Sequence, residues 1–210
     1  MDDEVVVPLG EALRIARLAC GLAEGSELAL EARVRLLHRL GVPRRRREKS
    51  NARFAYGLTE IAEIVVAIEL MKAFMPPAPA ARFVSERWNR WAPMAVAGIG
   101  DLLPPGFAER YPARASARCY VAGTALADLG SREVHAQRWE GPLGDVVDAA
   151  AEDAIGASGT LIDGAEFMPV VYRLLAGQPL ASPDAMLAGL RRLRQSERRE
   201  ASEGVGAAAL

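Results

Sequence analysis

The chain has 210 residues, half of them apolar and a quarter charged, and 26 Lys and Arg against 27 Asp and Glu leave a formal charge of −1. This is the composition of an ordinary globular protein of one or two domains with room for a substantial core, and no apolar run approaches the roughly 20 residues of a membrane span, which argues against a membrane role. Two cysteines, Cys20 and Cys119, are too few for a disulfide framework and are expected as buried small hydrophobes, while the acidic start MDDEVVV lacks the basic-then-apolar pattern of a secretory signal, so the expected location is cytoplasmic.

The segment Pro8 to Cys20 predicts a first helix with its proline at an early position, where the missing N–H costs nothing. Leu9, Leu13, Ala16 and Cys20 share one face, and Arg14 and Arg17 point away. Gly21 and Gly25 bracket a short turn. Ser26 is placed to cap a second helix running to about Leu40, with Leu30, Val34 and Leu37 inward and Arg33, Arg35 and Arg39 on other faces. Gly41 ends it, since glycine enters the left-handed cap without strain. Two helices around a tight turn, the second one basic, have a helix-turn-helix outline.

The charge distribution sharpens this reading. From Arg33 to Arg53 the chain carries nine cations (Arg33, Arg35, Arg39, Arg44, Arg45, Arg46, Arg47, Lys49, Arg53) against the single anion Glu48, a net of +8, so the rest of the chain carries −9 to reach −1. A cationic focus on an otherwise acidic body is the footprint of a polyanion-binding face. Arg53 to Tyr56 alternates and predicts a short strand with Phe54 and Tyr56 on one face. Thr59 is expected to cap a third helix to about Phe74, with Ile61, Ile64, Val65, Ile68 and Met71 as its core stripe and Glu60 and Glu63 in its first turn. After the PPAP break at 76–79, Ala80 to Trp91 predicts a fourth helix with Ala81, Val84, Trp88 and Trp91 inward.

Three stretches carry a resemblance. Arg35-Leu36-Leu37-His38-Arg39-Leu40-Gly41 resembles the R-Y-Y-E-R-L-G end of the recognition helix of MerR-type winged helix-turn-helix regulators. Leu9-Gly10-Glu11 resembles the I-G-E opening of that family's first helix, and Asn51 to Tyr56 has the spacing of its wing strand N-G-Y-R-L-Y. The resemblance covers about residues 5–92. It departs in the leucine pair Leu36-Leu37, in Arg53 and Phe54 standing where tyrosine and arginine are usual, and in the absence of a long heptad helix behind it. It implies double-stranded DNA as the partner and a homodimer as the working state, with RNA polymerase or a small-molecule effector as further partners. Arg33, Arg35 and His38 would approach base edges, and Arg39, Arg44, Arg45, Arg46, Arg47, Lys49, Asn51 and Arg53 would complete the DNA-binding set.

Past Gly98 the Pro- and Gly-rich stretch 100–112 is the expected boundary. Weak alternation predicts strands within 118–129 and 133–139, a helix from about Pro142, a third strand at 160–163 and a helix over 165–176. Ser182 with Pro183 opens a final helix whose Met186, Leu187, Leu190 and Leu193 form a stripe, available to a partner helix or to the domain itself, and 201–210 reads as a disordered tail. The expected fold class is mainly α with small β: a winged helix-turn-helix over 1–98, a linker over 99–112, and a small α+β sensing or dimerisation domain over 113–200 that includes the C-terminal helix.

Chemistry is sparse. His38, His135 and the two cysteines have no metal-ligand spacing, and no phosphate loop, dinucleotide fingerprint or nucleophile elbow is present. No metal, cofactor or catalytic residue is therefore expected. The reading is a sequence-specific DNA-binding transcriptional regulator. Its rivals are a protein–protein adaptor, whose basic run meets an acidic partner, and a small-molecule enzyme in the C-terminal part.

Overall fold

The computed structural model describes residues 4–44, 55–108, 117–122, 138–140 and 159–203. The basic residues 45–50, the expected wing residues 51–54 and the expected helix from Pro142 lie outside them. The described chain is mainly helical with a small sheet. In order it runs α1 (Leu9–Ala19), α2 (Glu27–Arg39), α3 (Leu58–Lys72), α4 (Pro77–Glu86), α5 (Trp88–Ile99), a 3-10 turn (Gly100–Leu102), α6 (Pro105–Ala108), β1 (Arg118–Ala122), β2 (Arg138–Glu140), β3 (Gly159–Asp163), α7 (Gly164–Ala176) and α8 (Pro183–Glu203).

Helix α3 is the axis. Its run LTEIAEIVVAIELMK is apolar on nearly every face, so it must be surrounded, and 12 of its 15 residues are buried. Helices α1, α4, α5, α7 and α8 all pack against it. The expected one-sided stripe is thus too narrow, because Val66, Ala67 and Leu70 are buried along with Ile61, Ile64, Val65 and Ile68. Thr59 is not its cap. The cap is Gly57, whose N–H donates to Glu60 Oε2 at 2.9 Å, and the Glu4 side chain occupies the space that a Cβ at Gly57 would need.

The expected helix over 80–91 is two helices. The Phe83 carbonyl, which a continuous helix would give to the Arg87 amide, accepts the Trp91 indole N–H at 3.1 Å. Arg87 leaves the helical region (φ −128°, ψ 26°), and α5 restarts at Trp88. Trp88 and Trp91 are nevertheless both buried, as the spacing implied.

The three strands form one antiparallel sheet in the order β2-β1-β3, with Tyr120 opposite Trp139 on one side and Leu161 on the other. Asp163 closes β3 and opens α7: its Oδ1 accepts from the Ala165 N–H (2.9 Å) and its Oδ2 from Arg118 Nε (2.7 Å). Ser182 caps α8 through Ala185 N–H (3.1 Å). That helix runs to Glu203, three residues into the segment expected as tail.

One hydrophobic core spans both sides of 99–112, the stretch that the sequence suggests as a boundary. It takes in Ile15, Val34 and Trp88 together with Cys119, Phe167, Val171 and Leu190. Met186, Leu190 and Leu193 are buried inside this body, so the α8 stripe covers the chain's own helices α3 and α5. Among the described residues no helix is long and apolar enough to cross a membrane.

The tightest point of this packing is the contact of α5 with the start of α7. A Cβ at Gly98 would lie 2.5 Å from the Gly164 carbonyl carbon and oxygen, so two backbones meet where no side chain fits. Gly98→Ala is expected to destabilise the fold by about 1–3 kcal/mol through overpacking. Gly10→Ala, on the exposed side of α1 with nothing within 4 Å, should instead stabilise it by about 0.5–1 kcal/mol. Urea unfolding of the two variants should move in opposite directions.

Candidate nucleic-acid interface

The first two helices and the turn between them are built by local rules. Helix α1 buries Ala12, Ile15, Ala16 and Ala19, and α2 buries Leu30, Val34 and Leu37, each at helical spacing. Leaving α2, Gly41 takes φ 90° and Val42 N–H returns to the Leu37 carbonyl at 2.9 Å. Upstream of α1, Val7 forms an isolated antiparallel bridge with Tyr56, each residue's N–H meeting the other's carbonyl at 3.0 Å. The chain that leaves α2 therefore comes back beside the start of α1.

With Leu30, Val34 and Leu37 inward, the outward row of α2 is Leu28, Ala32, Arg35 and Arg39, all exposed. Arg35 is paired along the helix with Glu31 at 2.5 Å. Arg33 is exposed too, but it lies at the edge of the helix facing the end of α3, and its Nη1 is 3.4 Å from the Ala29 carbonyl. His38 turns the other way from the base-reading face expected of it. It is half-buried and stacked on Tyr56 (centroids 5.8 Å apart), with Nε2 3.2 Å from the tyrosine Oη. Its ring fastens the last turn of α2 to the Val7–Tyr56 bridge.

Arg44, first of the expected phosphate-binding run, is anchored in the body. Val42 and Pro43 are buried, the Arg44 N–H donates to Glu63 Oε2 at 2.6 Å, and its Nε donates to Glu63 Oε1 at 3.1 Å. Its guanidinium lies 5.6 Å above the Trp88 ring. Glu63 is only 2% exposed. Of the expected DNA-binding set, Arg33, Arg35, His38, Arg39 and Arg44 are thus placed on or next to α2, and Arg45, Arg46, Arg47, Lys49, Asn51 and Arg53 lie outside the described residues.

A second ion cluster steadies the same end of α3. Glu60, 1% exposed, receives Arg192 of α8, which also reaches Glu4 Oε2 at 2.5 Å. The sequence reading missed both clusters. Their signal was two carboxylates inside the most apolar of the described long helices, where burial demands a cation. Cys20 and Cys119 are buried, and burial pushes the Cys20 thiol well up, away from reactivity. No group of His, Cys, Asp or Glu among the described residues is arranged to hold a metal ion.

Comparison of this chain with protein families, with curated proteins and with solved structures found no match. The residues and their geometry alone bear on function.

Burial raises the Glu63 carboxyl from its ordinary 4.5 to about 7, against the opposing pull of Arg44, and raises Glu4 in the same direction. A folded-state value above the unfolded one favours folding while the group is protonated. That contribution is complete below about pH 4.5 and is lost as pH rises through 7. Stability to urea should therefore decline between those limits. Glu63→Gln, which keeps an acceptor for the Arg44 amide, should flatten the decline, and an unaltered slope in the variant would show that Glu63 is not its source.

Proposed function

We propose that this chain is a sequence-specific duplex-DNA-binding regulator of transcription, using residues 5–92 as a winged helix-turn-helix of the MerR type. The observation that carries the reading is continuity of positive charge from an exposed helix face into an anchored cationic run. Arg35 and Arg39 stand on the outward row of α2, and a few residues later the chain passes the buried Val42 and Pro43 into the segment 44–53. The +8 net charge of residues 33–53 thus starts on a rigid element and leaves from a fixed point. The Val7–Tyr56 bridge supports a wing, because it returns the segment after α2 to the side of α1.

In this reading α2 enters the major groove. Arg35 exchanges Glu31 for a base edge or a phosphate at small cost, since exposed ion pairs contribute little. Arg45 to Arg47, Lys49 and Arg53 hold phosphates beside the groove and set register without reading sequence. Arg44 and His38 serve the interface from within, holding the root of the run and the end of α2. Two copies on two half-sites would have to pair through a surface other than the α8 stripe, which is already covered.

Binding to a duplex selected from a random pool should weaken steeply with salt. The expected slope of log K against log salt is roughly −4 to −7, as for about five to eight neutralised phosphates. Alanine at Arg45, Arg46 and Arg47 should flatten the slope and leave sequence preference intact, whereas Arg35→Ala should cost about 1–3 kcal/mol on the selected site. A chain that retrieves no duplex from the pool at low salt would overturn the reading and leave the cationic run to an acidic protein.

A further inference from the structure

Three helices of this chain stop in the same way. At the end of α1, Leu22 N–H reaches the Arg17 carbonyl (3.0 Å) and Gly21 N–H the Leu18 carbonyl (3.2 Å). At the end of α2, Val42 N–H reaches Leu37 (2.9 Å) and Gly41 N–H reaches His38 (3.2 Å). At the end of α3, Met75 N–H reaches Leu70 and Phe74 N–H reaches Met71, both at 3.1 Å. This pair of bonds requires the middle residue to be left-handed, and the φ values are 60°, 90° and 65°. Glycine fills the position twice, without strain. The third time it is a phenylalanine, whose Cβ makes that conformation unfavourable.

The same phenylalanine leaves its ring in water. Phe74 is 92% exposed, the most exposed large hydrophobic side chain among the described residues. Two unfavourable features thus coincide at one residue where glycine would avoid both, and nothing within the described fold is gained in return. Next to it, between the α1–α2 turn and the end of α3, lies a half-open groove of about 470 Å³. Leu30, Ile68, Met71 and Met75 line it, and Arg33 adds positive charge. No Asp or Glu lines it. Lys72 also borders it, but its Nζ donates to the Cys20 carbonyl and to Glu69, each at 2.9 Å, so its charge is already answered.

We propose that this groove docks an apolar segment of another protein that carries carboxylates, with Phe74 as the anchoring ring. Charge selects that occupant. A second copy apposed across a two-fold axis would bring Arg33 against its own counterpart, with no acidic residue in the groove to answer it. A ring projecting into solvent does not close a small-molecule pocket, but it does suit insertion into a partner surface, where buried aromatic anchors carry much of the binding. The groove faces the edge of α2 marked by Arg33, away from the row of Arg35 and Arg39, so a protein partner and duplex DNA can be held together. The proposal does not depend on the DNA reading.

The test uses phage-displayed random peptides about four helical turns long, selected on the full chain and then measured by fluorescence anisotropy on wild type, Phe74→Gly and Arg33→Glu. Selected peptides are expected to combine Asp or Glu with large apolar residues. Phe74→Gly should weaken them at least about tenfold while raising the melting temperature, because the strain is relieved, and duplex DNA binding should be unchanged. Arg33→Glu should weaken the acidic peptides, and replacing their carboxylates with lysine should abolish binding to wild type. Peptides that bind Phe74→Gly as well as wild type, or that lack carboxylates, would overturn the proposal. So would a lower melting temperature in Phe74→Gly, which would make the ring structural. Self-association lost on Phe74→Gly would give the groove to a second copy, and lost DNA binding would give the ring to nucleic acid; either result also refutes the acidic partner.

Discussion

The burial of two carboxylates in α3 constrains everything around them. A helix so apolar has to be enclosed, and Glu60 and Glu63 go inside with it. An ionised carboxylate in such a place is tolerated only with a cation and hydrogen bonds, and removing one partner of a buried pair typically costs about 3–5 kcal/mol. The two cations come from opposite directions: Arg44 from the segment just before α3, and Arg192 from the last helix. The first fixes where the cationic run departs from the body. The second fixes where α8 lies, and with it the lid over α3 and α5.

Seen from this helix, the two proposed surfaces lie toward different ends. The α2 row of Arg35 and Arg39 and the root at Arg44 lead toward the cationic run, while the groove beside Phe74 opens at the other end of α3. Helix α3 serves both, holding Arg44 through Glu63 at one end and lining the groove with Ile68 and Met71 at the other. A rigid, fully packed helix is suited to hold two surfaces at fixed relative position, because close-packed interiors do not deform continuously.

Local signals were legible in the sequence. The 3.6-residue spacing gave α1, α2, α3, α7 and α8 nearly to the residue, and Gly41, Ser182 and Pro183 marked ends that the backbone adopts. What was not legible depended on distant partners. Glu60 reads as an ordinary first-turn acid until Arg192, 132 residues away, is known to meet it. Splitting α4 from α5 needs the Trp91 indole to compete for a carbonyl eight residues back. His38 sits in a basic helix and looks like a surface reader, yet Tyr56 draws it inward once Val7 pairs with that residue. The cationic focus was plain from composition, and the fold adds the anchoring of its first arginine.

The cluster of Glu4, Glu60 and Arg192 has a consequence for the order in which the chain is made. Glu4 and Glu60 precede in chain order the guanidinium that neutralises them, which is synthesised more than a hundred residues after Glu60. Until then the nascent N-terminal part has two acids converging on one spot and no counter-ion for them, so its α3 cannot close in its final form. The core around α3 is therefore completed only once α8 has followed, and until then a half-covered apolar helix is exposed to aggregation.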